Sequence, residues 1–103
     1  MKTEKFVPYY AVIFTSTLAN SEGYAAMACQ MEELAKKQVG YIGMDSARED
    51  VGITVSYWKD LESIQLWKKN VDHLNAQALG KTKWYKSYSV RIARVEKEYD
   101  FDL

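Results

Sequence analysis

Hydrophobic residues recur along the chain at two different spacings, which predict strands and helices in a definite order. Segments rich in β-branched and aromatic residues predict strands at 9–18, 40–47, 52–58 and 85–99. Apolar residues at steps of three and four predict amphipathic helices at 23–38 and from 61 onward. The predicted order is β-α-β-β-α-β, which is typical of an α+β, ferredoxin-like fold with an antiparallel sheet.

Polar residues and glycines mark where the two helices are expected to begin and end. Ser21 is placed to cap the first helix, Gly40 to stop it, and Asp60 to cap the second. The pattern of the second helix weakens at 70–72 and then resumes up to Gly80. A break at 70–72, followed by an added helical turn, is therefore compatible with the pattern.

Two irregular points are expected in the sheet. Arg48-Glu49-Asp50 forms a polar turn between the second and third strands, which makes these strands a hairpin. The alternation of the last strand slips at Arg94-Val95, which predicts a β-bulge there.

The predicted sheet is apolar on both of its faces. Alternate residues of the first strand point to opposite faces, and both sets are rich in apolar side chains. Helices cover only one face of a ferredoxin-like sheet. A second copy of the same sheet is the economical cover for the other face, so we expect a homodimer that pairs through its sheets.

Length and charge narrow the class of protein. A chain of 103 residues fits one domain, spanning 1–103, with a single core. Lys and Arg together number 14, as do Asp and Glu, so no net charge draws the protein to nucleic acid or to a membrane surface. The basic segment 81–97 is interpreted as a strand with solvated Lys and Arg on its open side.

The single cysteine and the lack of long apolar stretches predict a cytoplasmic protein. Cys29 has no partner for an intrachain disulfide, and its apolar helical neighbours predict a small buried thiol. No stretch approaches the roughly 18 apolar residues of a membrane span, and the N-terminus lacks the apolar segment of a signal peptide.

The second half of the chain carries a pattern of specific residues. In chain order its parts are Tyr57-Trp58-Lys59-Asp60, Trp67, Asp72-His73, Ala76-Gln77, Gly80 and Val90-Arg91-Ile92-Ala93. This pattern is similar to that of a bacterial branch of the antibiotic-biosynthesis monooxygenase (ABM) superfamily. The order of elements extends the resemblance from about Tyr9 to Tyr99. The resemblance implies a dimeric α/β barrel in which each protomer holds a pocket between its helices and its sheet.

The resemblance also implies a class of reaction. ABM members with known chemistry oxygenate electron-rich aromatic substrates without metal or flavin, or cleave heme, and many members have no assigned reaction. We therefore expect a cofactor-independent monooxygenase that acts on a small aromatic or quinol substrate and O2. The alternative is a non-catalytic protein that binds a small ligand in the same pocket.

A heme-degrading activity has weaker support. The heme-cleaving branch uses an Asn on the first strand and a His ten residues after the helical Trp. This chain has no Asn in 9–18, and Gln77 stands ten residues after Trp67. The resemblance implies a reaction without a cofactor. No metal is expected either, because one histidine, one cysteine and no carboxylate cluster at ligand spacing leave no set of ligands.

His73 is the candidate general base. As the only histidine, it can remove a phenolic proton near neutral pH, and an electron-rich phenolate can pass an electron to oxygen. The alternative is a structural histidine that hydrogen-bonds at a helix boundary. On one continuous helix, His73 is turned about 120° from Trp67, because six residues at about 100° each give about 600°. The two converge only if the helix breaks between them.

The candidates for holding the substrate are Trp67, Asn70, Arg91, Tyr57 and Tyr88. Trp67 is either a core residue or a pocket wall that stacks on a flat substrate and offers its indole N–H. Asn70 follows Trp67 by about one helical turn and can donate a hydrogen bond to the same ligand. Arg91 either holds a substrate anion or pairs with an acid across the dimer. Tyr57 and Tyr88 either add hydroxyls to the pocket or pack across strands.

Overall fold

The computed structural model describes the backbone of residues 7–78 and 84–103 and the side chains of 7–72 and 84–103. In chain order the elements are β1 (Tyr9–Leu18), α1 (Tyr24–Lys36), β2 (Tyr41–Arg48), β3 (Gly52–Trp58), α2 (Leu61–Ala78) and β4 (Tyr85–Val95). This order, with one antiparallel sheet and two helices, confirms the predicted ferredoxin-like α+β fold.

The sheet has the strand order β2-β3-β1-β4, so β1 lies between β3 and β4. Val12 of β1 stands in register with Ser56 of β3 and Ile92 of β4. Because side chains alternate along a strand, these three point to one face of the sheet, while Ala11 and Ile13 point to the other. The helices pack on the side of Val12. We call this side the helix face and the opposite side the open face.

The core lies between the helix face and the helices, around two stacked tryptophans. Trp58 of β3 is fully buried, and its ring centroid lies 5.8 Å from that of Trp67 of α2 at an interplanar angle of 26°. Ala35 of α1 and Ile64 of α2 complete the buried cluster. Nε1 of Trp58 donates to Oγ of the buried Ser56 at 2.9 Å, which satisfies the buried indole N–H.

The two helices begin in different ways. Asp60 caps α2 as predicted, because its Oδ1 accepts from the backbone N–H of Ser63 at 2.8 Å. The hydrogen bonds from Ser63 also lower the pKa of the Asp60 carboxyl. The prediction that Ser21 caps α1 is wrong. Gly23 precedes this helix in a left-handed conformation, with φ of 77°, and no side chain makes a capping hydrogen bond.

The helices also end differently from the prediction. α1 ends at Lys36, and Gly40 follows with φ of 84°. A Cβ at Gly40 would collide with the Ser63 side chain, so glycine allows the loop to pass against the start of α2. α2 runs without a break from Leu61 to Ala78, because Val71, inside the weak segment, packs against the buried cluster. Neither described helix combines the length and the hydropathy that a membrane span requires.

The last strand is shorter and more regular than predicted. β4 ends at Val95, because Val95 pairs with Tyr9, the first residue of β1, and β1 has no further residue to pair. The bulge predicted at Arg94-Val95 is wrong, since both residues keep the regular register. The irregularity of this pair of strands lies instead between Thr17 and Leu18 of β1.

Cys29 is exposed, so the predicted buried thiol is also wrong. The residues of α1 that pack against the core are Met31, Leu34 and Ala35. Cys29 lies about 120° or more from each of them around the helix axis, at about 100° per residue.

The open face is partly covered by the segment that follows β4. Tyr9 and Ala11 are buried, and the Tyr9 hydroxyl donates to a carboxylate oxygen of Glu98. Burial, together with this hydrogen bond, raises the pKa of Tyr9 to about 12. Farther along the same face, Ile53 is 46% exposed. The pairing of two copies through this face stays a prediction.

Candidate functional site

A groove of about 610 Å³ lies between the two helices and the helix face of the sheet. Val12 lies on its floor, Met31 of α1 and Val71 of α2 line its walls, and the outer strand β4 contributes Val90 and Ile92. These two β4 side chains are 50% and 53% exposed. The groove is therefore closed toward the core and open along β4.

Aromatic rings form one end of the groove. Phe14 stacks on Tyr88 with ring centroids 5.4 Å apart and an interplanar angle of 26°. Tyr85 meets Phe14 edge-on at 5.5 Å and Tyr24 edge-on at 5.8 Å. These four rings all line the groove, together with Trp67. Such a surface suits a flat, apolar or aromatic ligand.

Trp67 serves both the core and the groove. It is 8% exposed and stacks on Trp58, while its edge lines the groove. No side chain or carbonyl within the described residues accepts a hydrogen bond from its indole N–H. Trp67 follows Ile64 by about one helical turn, so the two side chains lie on the same side of α2. Both line the groove, so the apolar side predicted for this helix is the side that faces the groove.

Tyr88 also lines the groove, whereas Tyr57 and Arg91 lie on the open face. Tyr57 pairs in register with Ala11, and Arg91 pairs with Ile13, so both side chains leave the sheet on the side away from the groove. The Tyr57 hydroxyl donates to Asp45 at 2.9 Å, and Nη1 of Arg91 donates to Oγ of Ser89 at 3.0 Å. Their predicted contacts with a ligand in the groove are not formed from these positions.

Asn70 lies on the outer side of α2. Its Nδ2 donates to Oε1 of Gln38 at 3.0 Å, in the loop after α1, and the residue is exposed. The backbone of His73 belongs to the unbroken α2, which keeps positions 67 and 73 about 120° apart around the helix axis. The side chain of His73 lies outside the described residues, so its role as a base stays a prediction.

Arg48, at the end of β2, was assigned to a turn by the sequence pattern but reaches the aromatic end of the groove. Its Nη2 donates to Oγ of the buried Ser16 and lies 3.5 Å from the hydroxyl of Tyr24. Its Cζ lies 5.0 Å from the centroid of the Tyr24 ring, in cation–π geometry. Burial raises the pKa of the Tyr85 phenol, and the neighbouring Tyr24 hydroxyl raises it further.

Charged side chains line the groove along its helical walls. Lys68 and Asp72 of α2 form an ion pair with Nζ and Oδ2 2.7 Å apart, and Glu32 belongs to α1. Both members of the ion pair are at least half exposed, so the pair adds little stability. Among the described residues there is no cluster of three or more His, Cys, Asp or Glu side chains that could hold a metal ion.

Solved structures share this fold at low sequence identity. Protein SO0527 of Shewanella oneidensis superposes with a TM-score of 0.70 and 11% identity, over 85% of this chain and 91% of that one. SnoaB, a cofactor-independent oxygenase of Streptomyces nogalater, superposes with a TM-score of 0.65 and 9% identity, over 91% and 97%. A Bacillus cereus protein assigned provisionally as an antibiotic-biosynthesis monooxygenase gives 0.62 and 13%, over 91% and 99%. The chain thus shares the ferredoxin-like fold of these structures.

A sequence relative is much more similar. The uncharacterized protein YqjZ of Bacillus subtilis strain 168 is 44% identical over 94 residues, which cover 88% of this chain and 82% of YqjZ. No family model matches the chain. At this identity and coverage the two proteins share a common fold and ancestry.

Proposed function

We propose that this chain, which belongs to the family of Bacillus subtilis YqjZ, is a monooxygenase that oxidises a small aromatic, quinol-type substrate without a metal or organic cofactor. The aromatic groove carries this proposal. The shared fold adds support, because SnoaB has the same fold and is a cofactor-independent oxygenase.

The groove has the size and lining that such a substrate needs. Its volume of about 610 Å³ falls within the roughly 300–1,000 Å³ that is usual for small-molecule sites. A flat ring held against Phe14, Tyr88 or Trp67 gains about 0.5–1.5 kcal/mol for each aromatic pair, beyond the burial of its surface. The open side along β4 provides a path for substrate and O2.

The reaction needs no external reductant when the substrate itself supplies the electrons. In an anthrone, a base removes a proton, the resulting anion passes electrons to O2, and the carbon forms a bond to oxygen. One oxygen atom replaces the two hydrogens of the CH2 group as a carbonyl, and the other oxygen atom leaves as water. The sequence offers His73 as the base, directly after the groove residue Asp72 on α2.

Two copies are proposed to pair through their open faces. This face carries Ile13 and the half-exposed Ile53, and it is the side of the sheet that the helices leave uncovered. The groove lies on the helix face, so pairing leaves one groove accessible in each protomer. Burial of both open faces would add the apolar contact that a stable homodimer needs.

Oxygen consumption tests the activity directly. The protein, freed of flavin and metal, is mixed with a panel of anthrones and hydroquinones, and O2 uptake is followed with an electrode. We expect turnover with incorporation of one atom of isotopically labelled oxygen into the product. His73→Ala should abolish turnover while substrate still binds, and Lys69→Ala, an exposed control on the same helix, should retain it. Absence of turnover across the panel, or equal rates in the wild type and His73→Ala, would contradict the proposal.

A non-catalytic binding protein is the second candidate function. The observation in its favour is that the described lining consists mainly of apolar and phenolic side chains, and that the pKa of Tyr85 is raised, away from the range of a useful base. This function predicts a small aromatic ligand that remains bound through purification and is identified by native mass spectrometry. It also predicts no O2 consumption with any member of the panel.

A further inference from the structure

Arg48 crosses the sheet at the aromatic end of the groove. Arg48, Gly52 and Ser16 stand side by side on β2, β3 and β1, at positions whose side chains point to the helix face. A Cβ at Gly52 would overlap the Arg48 guanidinium. The missing side chain of Gly52 thus provides the path by which Arg48 reaches across β3 to the hydroxyl of Ser16.

The charge of Arg48 is not neutralised by a carboxylate in the described part of the chain. The ion pairs of these residues join Lys36, Lys68 and Arg94 to acidic partners, and none involves Arg48. Its contacts are instead the hydroxyls of Ser16 and Tyr24 and the face of the Tyr24 ring. A half-buried guanidinium in this setting can still stabilise an additional negative charge.

The tyrosine hydroxyls near Arg48 are hydrogen-bond donors at this end of the groove. A guanidinium only donates, so the Tyr24 oxygen accepts from Arg48. The Tyr85 ring meets the Tyr24 ring edge-on at 5.8 Å, so the two phenol groups lie at the same end of the groove. Each tyrosine hydroxyl carries a proton that it can donate, and both tyrosines line the groove. This end of the groove therefore suits an oxygen atom that accepts hydrogen bonds.

We propose that Arg48, Tyr24 and Tyr85 form a binding site for the phenolate or quinone-type carbonyl oxygen of an aromatic ligand that lies in the groove. The proposal rests on the groove being the ligand site of the proposed function. Tyr24 and Tyr85 contact the oxygen, and Arg48 is a positioning residue that polarises the Tyr24 hydroxyl and favours the ionised form of a bound phenol. Among the described residues, the charged side chains that line the groove are Glu32 on α1 and the Lys68–Asp72 pair on α2, and Arg48 lies behind Tyr24.

The probes are 4-nitrophenol, whose phenolate absorbs visible light, and 4-nitroanisole, its methyl ether, which does not ionise. Binding to the whole protein is measured by equilibrium dialysis, and the pKa of bound 4-nitrophenol is measured from its absorbance during a pH titration. In the wild type the bound phenol should ionise at a lower pH than the free phenol. Arg48→Gln should remove this difference and weaken binding of the phenolate about ten- to a hundredfold, with the affinity for 4-nitroanisole unchanged.

Two further variants separate this site from a general loss of structure. Tyr85→Phe keeps the ring and should also weaken phenolate binding. Arg94→Gln repeats the Arg-to-Gln change at the other end of β4, opposite Tyr10, and should leave phenolate binding unchanged. Equal phenolate binding and equal bound pKa in the wild type, Arg48→Gln and Tyr85→Phe would overturn the assignment, as would failure of both probes to bind the wild type. These measurements do not involve O2 turnover. A protein that binds phenolate through Arg48 but consumes no O2 would support this site and contradict only the monooxygenase proposal.

Discussion

Replacing Gly52 with alanine should displace Arg48 and reveal how much this arginine contributes to the fold. Gly52 is not one of the described glycines with positive φ, so its backbone accepts an alanine. The added Cβ would overlap the guanidinium, which must then leave its position over β3. The substitution thus removes the contacts of Arg48 with Ser16 and Tyr24 without changing a single atom of those three side chains.

The expected cost follows from the contacts that are lost. A hydrogen bond from a charged donor contributes about 1.5–3 kcal/mol, and a cation–π contact at a partly exposed site about 0.5–1 kcal/mol. Arg48 is half-buried, so we take the lower part of these ranges, near 2 kcal/mol. A Gly→Ala change also restricts the unfolded chain, which raises the free energy of unfolding by about 0.4–1 kcal/mol. The net loss should be about 1–2 kcal/mol, which corresponds to a Tm lower by roughly 5–10 °C.

Urea and thermal unfolding followed by circular dichroism measure this loss, and a double-mutant cycle assigns it. Gly43→Ala is the matched control, because a Cβ at Gly43 would meet only an ordinary contact with Tyr57 at 3.8 Å. In an Arg48→Ala background, Gly52→Ala should cost nothing or stabilise slightly. A Gly52→Ala protein as stable as Gly43→Ala, or an equal loss in both backgrounds, would refute the placement of Arg48.

Three other predictions test separate parts of the molecule. Asp60→Ala should lower the free energy of unfolding by about 1 kcal/mol, because the α2 cap is lost. Asp60→Asn should keep most of the stability, because asparagine also caps helices. Urea unfolding measures both variants, and equal losses would contradict the capping role. The Tyr9 pKa is raised from 10.0 to about 12, so its contribution is complete below pH 10 and is lost as the pH rises toward 12. The free energy of unfolding should therefore fall more steeply between pH 9 and 11.5 in the wild type than in Tyr9→Phe, by roughly 1–2 kcal/mol. Ile53→Lys, on the open face, should convert a dimer to a monomer in light scattering, and Gln65→Lys, on the exposed side of α2, should not; a wild type that is monomeric throughout would contradict the pairing.

Features that depend on neighbouring residues were predictable from the sequence. Asp60 lies three residues before the amide that it caps, so the sequence alone shows both partners. The stripe of Ile64, Trp67 and Val71 has the period of a helix, and the structure turns this stripe toward the groove. Ser21 failed as a cap because Gly23 adopts the left-handed conformation and moves the start of the helix two residues on.

The location of a strand residue relative to the groove depends on more than alternation. Alternation correctly separates Arg91 from Val90 and Ile92, but it does not say which set faces the helices. Arg91 and Tyr57 therefore belong to the open face, although both were predicted to contact the ligand. The residue pattern that the second half of the chain shares with the ABM superfamily does not show which side chains of a strand face the helices either.

The sequence by itself determined the order of the elements and the two amphipathic helices, because the periodicity of apolar residues is a local property of the chain. Only the tertiary structure decided that α2 continues through 70–72, since packing of Val71 on the core outweighs the weak local pattern. It also decided that Arg48 meets Ser16 and Tyr24, because strand register and the small size of Gly52 bring together groups from β2, β1 and α1. Such contacts join residues far apart in the chain, and no local pattern encodes them.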